Sequence, residues 1–466
     1  MPLTKIGREK MECIPECRPE LVTDLYQLTM AASYLEQNMS APATFSLFIR
    51  AYPSNRNFFV AAGVEELLGF LENFRFQKED LDYLDTLGIF KPEFLDYLGN
   101  MKFTGQVRAM PEGTIFFKDE PVLEVTAPII EAQLVETLVI NMINLSTMVA
   151  TKAARCVNAA RGRRLVDFAL RRTQGIDAGL KVARSSFLAG FIGTSNVLAG
   201  KIYGIPVFGT MAHSYITSFP SEIEAFRAFA ETFPQNTVLL VDTFDPIAGT
   251  KHAVKVAKEL AEKGNQLRGV RLDSGDLVEL SIKVREILDE NGLRDVQIFA
   301  SGGFDEFKIA DVLNRGAKID AFGVGTKMGV SADAPYFDMA YKLVQYDGRP
   351  VMKLSTGKVT YVGAKQVFRF FDPDGFIDHD TLGLKGENYP SAQTLLQTFM
   401  VSGKRVREPD DLQAVKMRFE KEFKRLPQQL KTLDAEKKLR VEISEELEKL
   451  QQEVKQQIIE KELGEG

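Results

Sequence analysis

The chain has 466 residues, with 58 Lys and Arg against 64 Asp and Glu, a formal net charge of −6. With 45% hydrophobic and 26% charged residues it can bury a large core and a smaller domain, which excludes global disorder. The slight negative charge excludes a broad polyanion-coating face, so any phosphate site must be local.

Three cysteines, Cys13, Cys17 and Cys156, neither frame disulfides nor fall at metal-ligand spacing, which points to a reducing cytoplasm. No run of about 18 apolar residues appears. The N-terminal Lys5, Arg8, Glu9 and Lys10 accompany no cleavable apolar stretch, so neither membrane spanning nor secretion is expected. Only three histidines exist, His213, His252 and His379.

In chain order, residues 43–50, 104–109, 113–117 and 121–127 read as short strands with Gly and Pro punctuation, followed by a long helix over 131–160. From about residue 163 short apolar runs alternate with amphipathic helical stretches. The runs are RRLVDFA from Arg163, GFIGT from Gly190, IPVFGTM from Ile205, TVLLVDT from Thr237, GVRLDS from Gly269, VQIFAS from Val296 and IDAFGVG from Ile319. Helices between the later ones stop at Gly264 and Gly292, as C-caps do. Strands apolar enough for burial on both faces predict a parallel sheet covered by helices.

Asp167, Ser195, His213, Asp242, Asp273, Ser301 and Gly325 all fall at or just past strand C-termini. That placement predicts an irregular (β/α) barrel of about seven parallel strands, because a barrel gathers such ends at one mouth. Strands at 338–346 and 350–354 predict that a flanking α+β domain is built from both chain ends. The expected divisions are 1–130, the barrel at 131–335, and 336–466. The last sixty residues are charge-dense with helical period, and read as amphipathic helices packed on one side rather than a coiled coil.

Four groups of residues carry the candidate chemistry. ASGGF (300–304) and GVGT (323–326) end two consecutive strands; Gly302, Gly303, Gly323 and Gly325 either cradle a phosphate with backbone N–H groups or make tight turns. In DFALRRTQG (167–175), Arg171 and Arg172 can clamp phosphate or carboxylate, or begin a salt-bridged helix. In RLDSGD, Arg271, Asp273 and Asp276 surround a strand end, where a carboxylate could hold ribose hydroxyls or Mg²⁺, or cap the next helix. Asp242 and Asp245 stand open between the same two roles. His213 and Ser214 follow the third run, whereas His252 lies inside a helix and His379 in a polar stretch.

P-loop, first-strand dinucleotide, serine-elbow and zinc-peptidase motifs are absent. The residues alone describe a barrel enzyme acting on a phosphorylated small molecule.

TDLYQLTM (23–30), FIRAYPSNRNFFVAAG (48–63), DFALRRTQG, GTSNVLAG (193–200), AHS (212–214), VDTFD (241–245), GVRLDSGD and the two glycine loops together resemble the nicotinate phosphoribosyltransferase family, in its order and over most of the chain. The resemblance implies a seven-stranded barrel, a homodimer with shared active sites, and no nucleic-acid or membrane partner. It implies that nicotinate attacks C1 of phosphoribosyl pyrophosphate (PRPP), with ATP as co-substrate and Mg²⁺ accompanying the phosphates; the metal ligands are unknown.

By the same resemblance Tyr26, from a second subunit, and Phe168 stack on the pyridine ring, with Ser195 and Ser214 beside it. Arg50, Arg172, Arg271, Ser301 and the four glycines face PRPP. His213, Asp273 and Arg171 are catalytic, His213 as a phosphohistidine. Related nicotinamide-using enzymes carry Asp where this chain has Ser195, which implies acid over amide. A flavin- or nucleotide-binding barrel oxidoreductase, or a silent nucleotide-sensing barrel, is the alternative.

Overall fold

A computed structural model describes residues 19–354 and 360–464; Cys13, Cys17 and the basic N-terminal residues lie outside them. The chain divides into two compact units. One comprises residues up to Met148 together with those from Tyr336 onward, and the other is Val149–Pro335.

In the first unit the strand Pro42–Ile49 pairs antiparallel with both Pro121–Pro128 and Met339–Tyr346, so segments from both chain ends share one seven-stranded sheet. Seven of the eight residues of Pro42–Ile49 are buried, as befits a central strand covered on both faces. The expected strand at 350–354 shrinks to Arg349–Pro350. A four-stranded sheet that the sequence did not announce holds Lys365–Phe371 against Ile377–Leu384, with Arg440–Ile443 running parallel at its edge. Inside it the fully buried Arg369 reaches Asp380 at 2.9 and 2.6 Å and Glu422 at 2.9 Å. His379 belongs to this sheet rather than to a polar loop. The terminal helices Leu412–Arg425 and Glu445–Ile458 bury one stripe each, Val415, Phe419 and Glu422 on the first and Leu447, Gln451 and Val454 on the second.

The long helix expected over 131–160 is two, Ile129–Leu134 and Glu136–Ala159. No helix among the described residues is long and apolar enough to cross a membrane.

The second unit holds six parallel strands, β1 (Arg164–Asp167), β2 (Gly193–Thr194), β3 (Val238–Leu240), β4 (Gly269–Leu272), β5 (Gln297–Ala300) and β6 (Ala321–Val324). They lie in the order β2-β1-β6-β5-β4-β3. First and last strands are neighbours, as in a ring, yet the sheet does not close, and this corrects the expected seven-stranded barrel. The run at Ile205–Met211 contributes only one bridge, Val207 to Thr194. Pro206 has no N–H to offer a ladder, and residues 206–209 are exposed.

Side chains cross the gap instead. Arg271 Nη1 on β4 donates to Thr210 Oγ1 at 3.1 Å and to the Met211 carbonyl at 3.3 Å. The helices after β3 and β4, Pro246–Glu262 and Leu277–Glu290, are followed by Gly264 and Gly292 at φ +75° and +76°, the left-handed stop anticipated from sequence.

Candidate active site

The C-terminal ends of β1, β4, β5 and β6 build a cluster around Arg271. Its guanidinium donates to Ser301 Oγ through Nε at 2.8 Å and to Asp273 Oδ1 through Nη2 at 2.9 Å, and lies 5.5 Å over the Phe168 ring. Ser301 Oγ in turn donates to Asp273 Oδ1. Burial pushes the Asp273 carboxyl up, but the hydrogen bonds from Ser301 and Arg271, with the Arg271 charge, outweigh it and hold the group below its ordinary range. Asp273 is therefore an anion at neutral pH.

Asp242 holds this loop from the β3 end. Its Oδ2 accepts the N–H groups of Asp273 and Ser274 at 2.7 and 2.8 Å and the Ser274 hydroxyl at 2.9 Å. Oδ1 of the same buried side chain has no partner among the described residues. The helix caps are the other two acids: Asp276 accepts from Val278 and Glu279 N–H, and Asp245 from Ala248 N–H.

His213 opens a short helix, with Nδ1 3.1 Å from Thr243 Oγ1 and Nε2 4.0 Å from Asp273 Oδ2. Of the other histidines, His252 is engaged by Glu222 at 2.8 Å and His379 by Asp378 at 2.7 Å. Ser214, beside His213, is exposed; Ser195 is half-buried and its N–H donates to the Asp167 carbonyl at 2.8 Å.

The four glycines do different things. Gly302 has φ +107°, and a Cβ there would stand 2.2 Å from the Asp273 carbonyl oxygen, so only glycine lets the β5 loop cross the β4 loop. Gly323 is buried within β6, where a Cβ would lie 2.6 Å from the Phe168 ring, and Gly325 likewise abuts the Phe168 backbone. Those two seat the aromatic ring. Gly303 opens to empty space.

Arg171 and Arg172 lie exposed on a turn after β1; Arg172 Nη1 donates to Thr326 Oγ1 at 3.2 Å. Tyr26 and Arg50 belong to the first unit. Tyr26 is half-exposed on the helix Leu25–Glu36, and Arg50 is paired with Asp338 at 2.5 Å.

Sequence reasoning did not single out Thr210, Thr243, Lys308 or Lys327, which share this region, and it gave Asp167 no role. Asp167 is buried at the end of β1, accepting the Ala169 N–H and the Thr194 hydroxyl at 2.8 and 2.7 Å, and so shapes the turn that carries Phe168. Burial pushes its carboxyl up to about 6 against the pull of those hydrogen bonds. The folded protein thus holds this proton more tightly than the unfolded chain does. The stabilisation is complete below about pH 4 and is lost as pH rises to about 6. Asn at this position keeps an acceptor for Ala169 and gains a donor for Thr194. Asp167→Asn is expected to stabilise the protein by roughly 2–3 kcal/mol above pH 6 and by nothing near pH 4. Thermal unfolding of both proteins across that range checks it, and a pH-independent difference contradicts it.

Three family models match the chain: the nicotinate phosphoribosyltransferase N-terminal domain over residues 21–144, the family itself over 163–362 and its C-terminal domain over 388–451. The nicotinate phosphoribosyltransferase pncB2 of Mycobacterium tuberculosis is 53% identical over 388 residues, 83% of this chain and 83% of that protein. The chain belongs to the nicotinate phosphoribosyltransferase family. The Bacillus subtilis nicotinate phosphoribosyltransferase is 41% identical, over 76% of this chain and 73% of that one. Among solved structures, the human nicotinic acid phosphoribosyltransferase superposes with a TM-score of 0.84 at 29% identity, covering 93% of this chain and 99% of that one. A Pyrococcus furiosus nicotinate-nucleotide pyrophosphorylase superposes at 0.72 with 26% identity, over 91% and 99%. The family's mixed α/β fold with a parallel sheet is the fold of this chain, and the oxidoreductase and silent-sensor alternatives find no support in these similarities.

Proposed function

We propose that this chain transfers a phosphoribosyl group from PRPP to nicotinate, the first step of making NAD from that acid. The observation that carries the reading is the ionised Asp273, locked to Ser301 and to Arg271, whose guanidinium lies over the Phe168 ring, beside the Gly302–Gly303 loop. An aromatic face, a fixed anion and a backbone turn open to solvent are what a pyridine, a developing ribosyl cation and a phosphate require.

The pyridine nitrogen forms a bond to C1 as the C1–O bond to diphosphate breaks, and positive charge passes from the ribose to the pyridinium ring. Asp273 stabilises that charge in transit and accepts from the ribose hydroxyls, while Arg171 and Arg172 neutralise phosphate. A second copy supplies Tyr26 and completes the stacking slot; what supports this is the exposure of Val22, Leu25 and Tyr26 together at one helix start. Ser214 completes the substrate contacts.

ATP couples by giving its γ-phosphoryl group to a nitrogen of His213, releasing ADP; water later cleaves the P–N bond and phosphate leaves. No grouping of three or more His, Cys, Asp or Glu among the described residues forms a metal cage. The unpartnered Oδ1 of Asp242 and the neighbouring Asp273 suit Mg²⁺, which usually keeps several waters and takes only one or two carboxylates besides substrate phosphates. When bound, the ion supplies charge neutralisation for the departing diphosphate. The buried free thiol of Cys156 fits a reducing, cytoplasmic setting.

Ser195 sets the preference for acid over amide. A carboxylate there would face the nicotinate carboxylate, and such like-charge contacts cost on the order of several kcal/mol. Ser195→Asp is expected to lower kcat/KM for nicotinate by at least about tenfold while leaving or raising that for nicotinamide. Steady-state kinetics with both bases tests this, and equal use of the two by the unaltered protein overturns it.

A further inference from the structure

Side chains tie the start of the helix Leu25–Glu36 to the break between Ile129–Leu134 and Glu136–Ala159. The last carbonyls of a helix lack intrahelical partners, and that of Leu134 lies 3.4 Å from the Thr23 hydroxyl. Gln27 is fully buried at this junction. Its Oε1 accepts the Asp24 N–H at 3.3 Å, lies 3.2 Å from Thr137 Oγ1 and is in contact with the Thr23 hydroxyl. Thr137 Oγ1 in turn donates to Asp24 Oδ2 at 2.7 Å.

Held in this way, Gln27 aims its Nε2 at the Tyr26 hydroxyl, 3.4 Å away. The Glu136 carboxylate faces the same phenol and is fixed in turn by Gln133 Nε2 at 2.8 Å. Burial, and then the Glu136 charge, push the phenol's pKa up. Burial also pushes the Glu136 carboxyl up, against the Lys342 charge and hydrogen bonds from Gln133, Gln27 and Tyr26. One side chain thus donates to the phenol oxygen and another accepts its O–H. The tip of Tyr26 is committed while the residue as a whole stays 50% exposed.

An exposed tyrosine ordinarily spreads over several χ1 wells, and a site that needs one of them loses affinity in proportion to the fraction absent. Hydrogen bonds to the phenol from two fixed partners remove that freedom without covering the ring face. We infer that Gln27 and Glu136 are positioning residues, which hold the Tyr26 ring in the single rotamer that presents its face to nicotinate. This rests on Tyr26 completing the stacking slot of a second copy. The hydroxyl serves the placement of the ring and does not touch substrate.

The test uses the full chain and the variants Tyr26→Phe, Glu136→Gln, the two combined, and Tyr26→Leu, with KM for nicotinate and for PRPP, kcat and thermal unfolding. Glutamine at 136 keeps an oxygen for Gln133 Nε2 but turns an N–H toward the phenol, which is left without an acceptor. Tyr26→Phe and Glu136→Gln are each expected to raise KM for nicotinate about three- to tenfold, with KM for PRPP and kcat within about twofold of the parent and the thermal midpoint little changed. The combined variant is no worse than the more affected single one, because both changes remove the same restraint. Tyr26→Leu raises KM for nicotinate further, since the aromatic face is gone. A parent-like KM for nicotinate in Tyr26→Phe and Glu136→Gln, with Tyr26→Leu impaired, overturns the inference and leaves the stacking slot standing. A lowered midpoint with both KM values unchanged or raised equally also overturns it, since a purely structural contact acts that way. A parent-like KM for nicotinate in Tyr26→Leu removes the ring from the site and the inference with it.

Discussion

Replacing Asp273 with asparagine lowers kcat/KM for PRPP by on the order of 10²–10³, chiefly through kcat, while the unliganded protein still folds, with a modest fall in thermal midpoint from the lost pairing with Arg271. Asparagine has the same shape, and its carbonyl oxygen still accepts from Arg271 Nη2 and Ser301 Oγ. What disappears is a negative charge that those two donors keep ionised against the opposing effect of burial. Because ribosyl positive charge exists only while the C1–O bond is breaking, the loss falls on the transition state rather than on the bound substrate. Steady-state kinetics with PRPP varied, alongside thermal unfolding, measures both halves. Activity within about threefold of the parent removes Asp273 from the chemistry.

The second large effect is on coupling. His213→Ala reduces the rate in the presence of ATP to the rate without it and abolishes acid-labile label from γ-labelled ATP. The imidazole is 43% exposed, so a nucleotide can reach it, and its Nε2 lies 4.0 Å from Asp273, so a phosphoryl group carried there stands beside the same charged cluster. Label that persists undiminished in the variant contradicts the assignment. His252→Ala serves as the contrast, since that ring is engaged by Glu222, and it should keep both label and coupling.

The parallel strands were legible because each is a short apolar run with a glycine, serine or aspartate at or just past its C-terminal end, and the structure finds six of the seven runs in order. The seventh was misleading: Ile205–Met211 is apolar enough, but Pro206 cannot donate to a ladder, and the side chains of Arg271 and His213 make the connection that backbone does not. The sheet around Lys365–Phe371 was hidden because Arg369 and Asp380 satisfy each other inside it, so buried residues look like surface ones in sequence.

The site was legible wherever chemistry fixes a residue type next to a strand end, as at Arg271, Asp273, Ser301 and His213. The glycines were legible as a group but not in their division of labour. Pattern alone does not tell a turn that crosses another backbone, as at Gly302, from a residue that makes room for an aromatic ring, as at Gly323. Lys308 and Lys327 were invisible for a different reason. A lysine on a helix reads as solvated surface until the carbonyl and ring it rests on are known.

The assignment of nicotinate and PRPP as substrates is tested most directly by giving the purified protein, with Mg²⁺, both compounds with or without ATP and quantifying nicotinate mononucleotide. Mononucleotide and diphosphate are expected in equal amounts, formed faster with ATP and accompanied then by ADP and phosphate. Failure to form the mononucleotide under either condition, with ligand binding intact, contradicts that assignment.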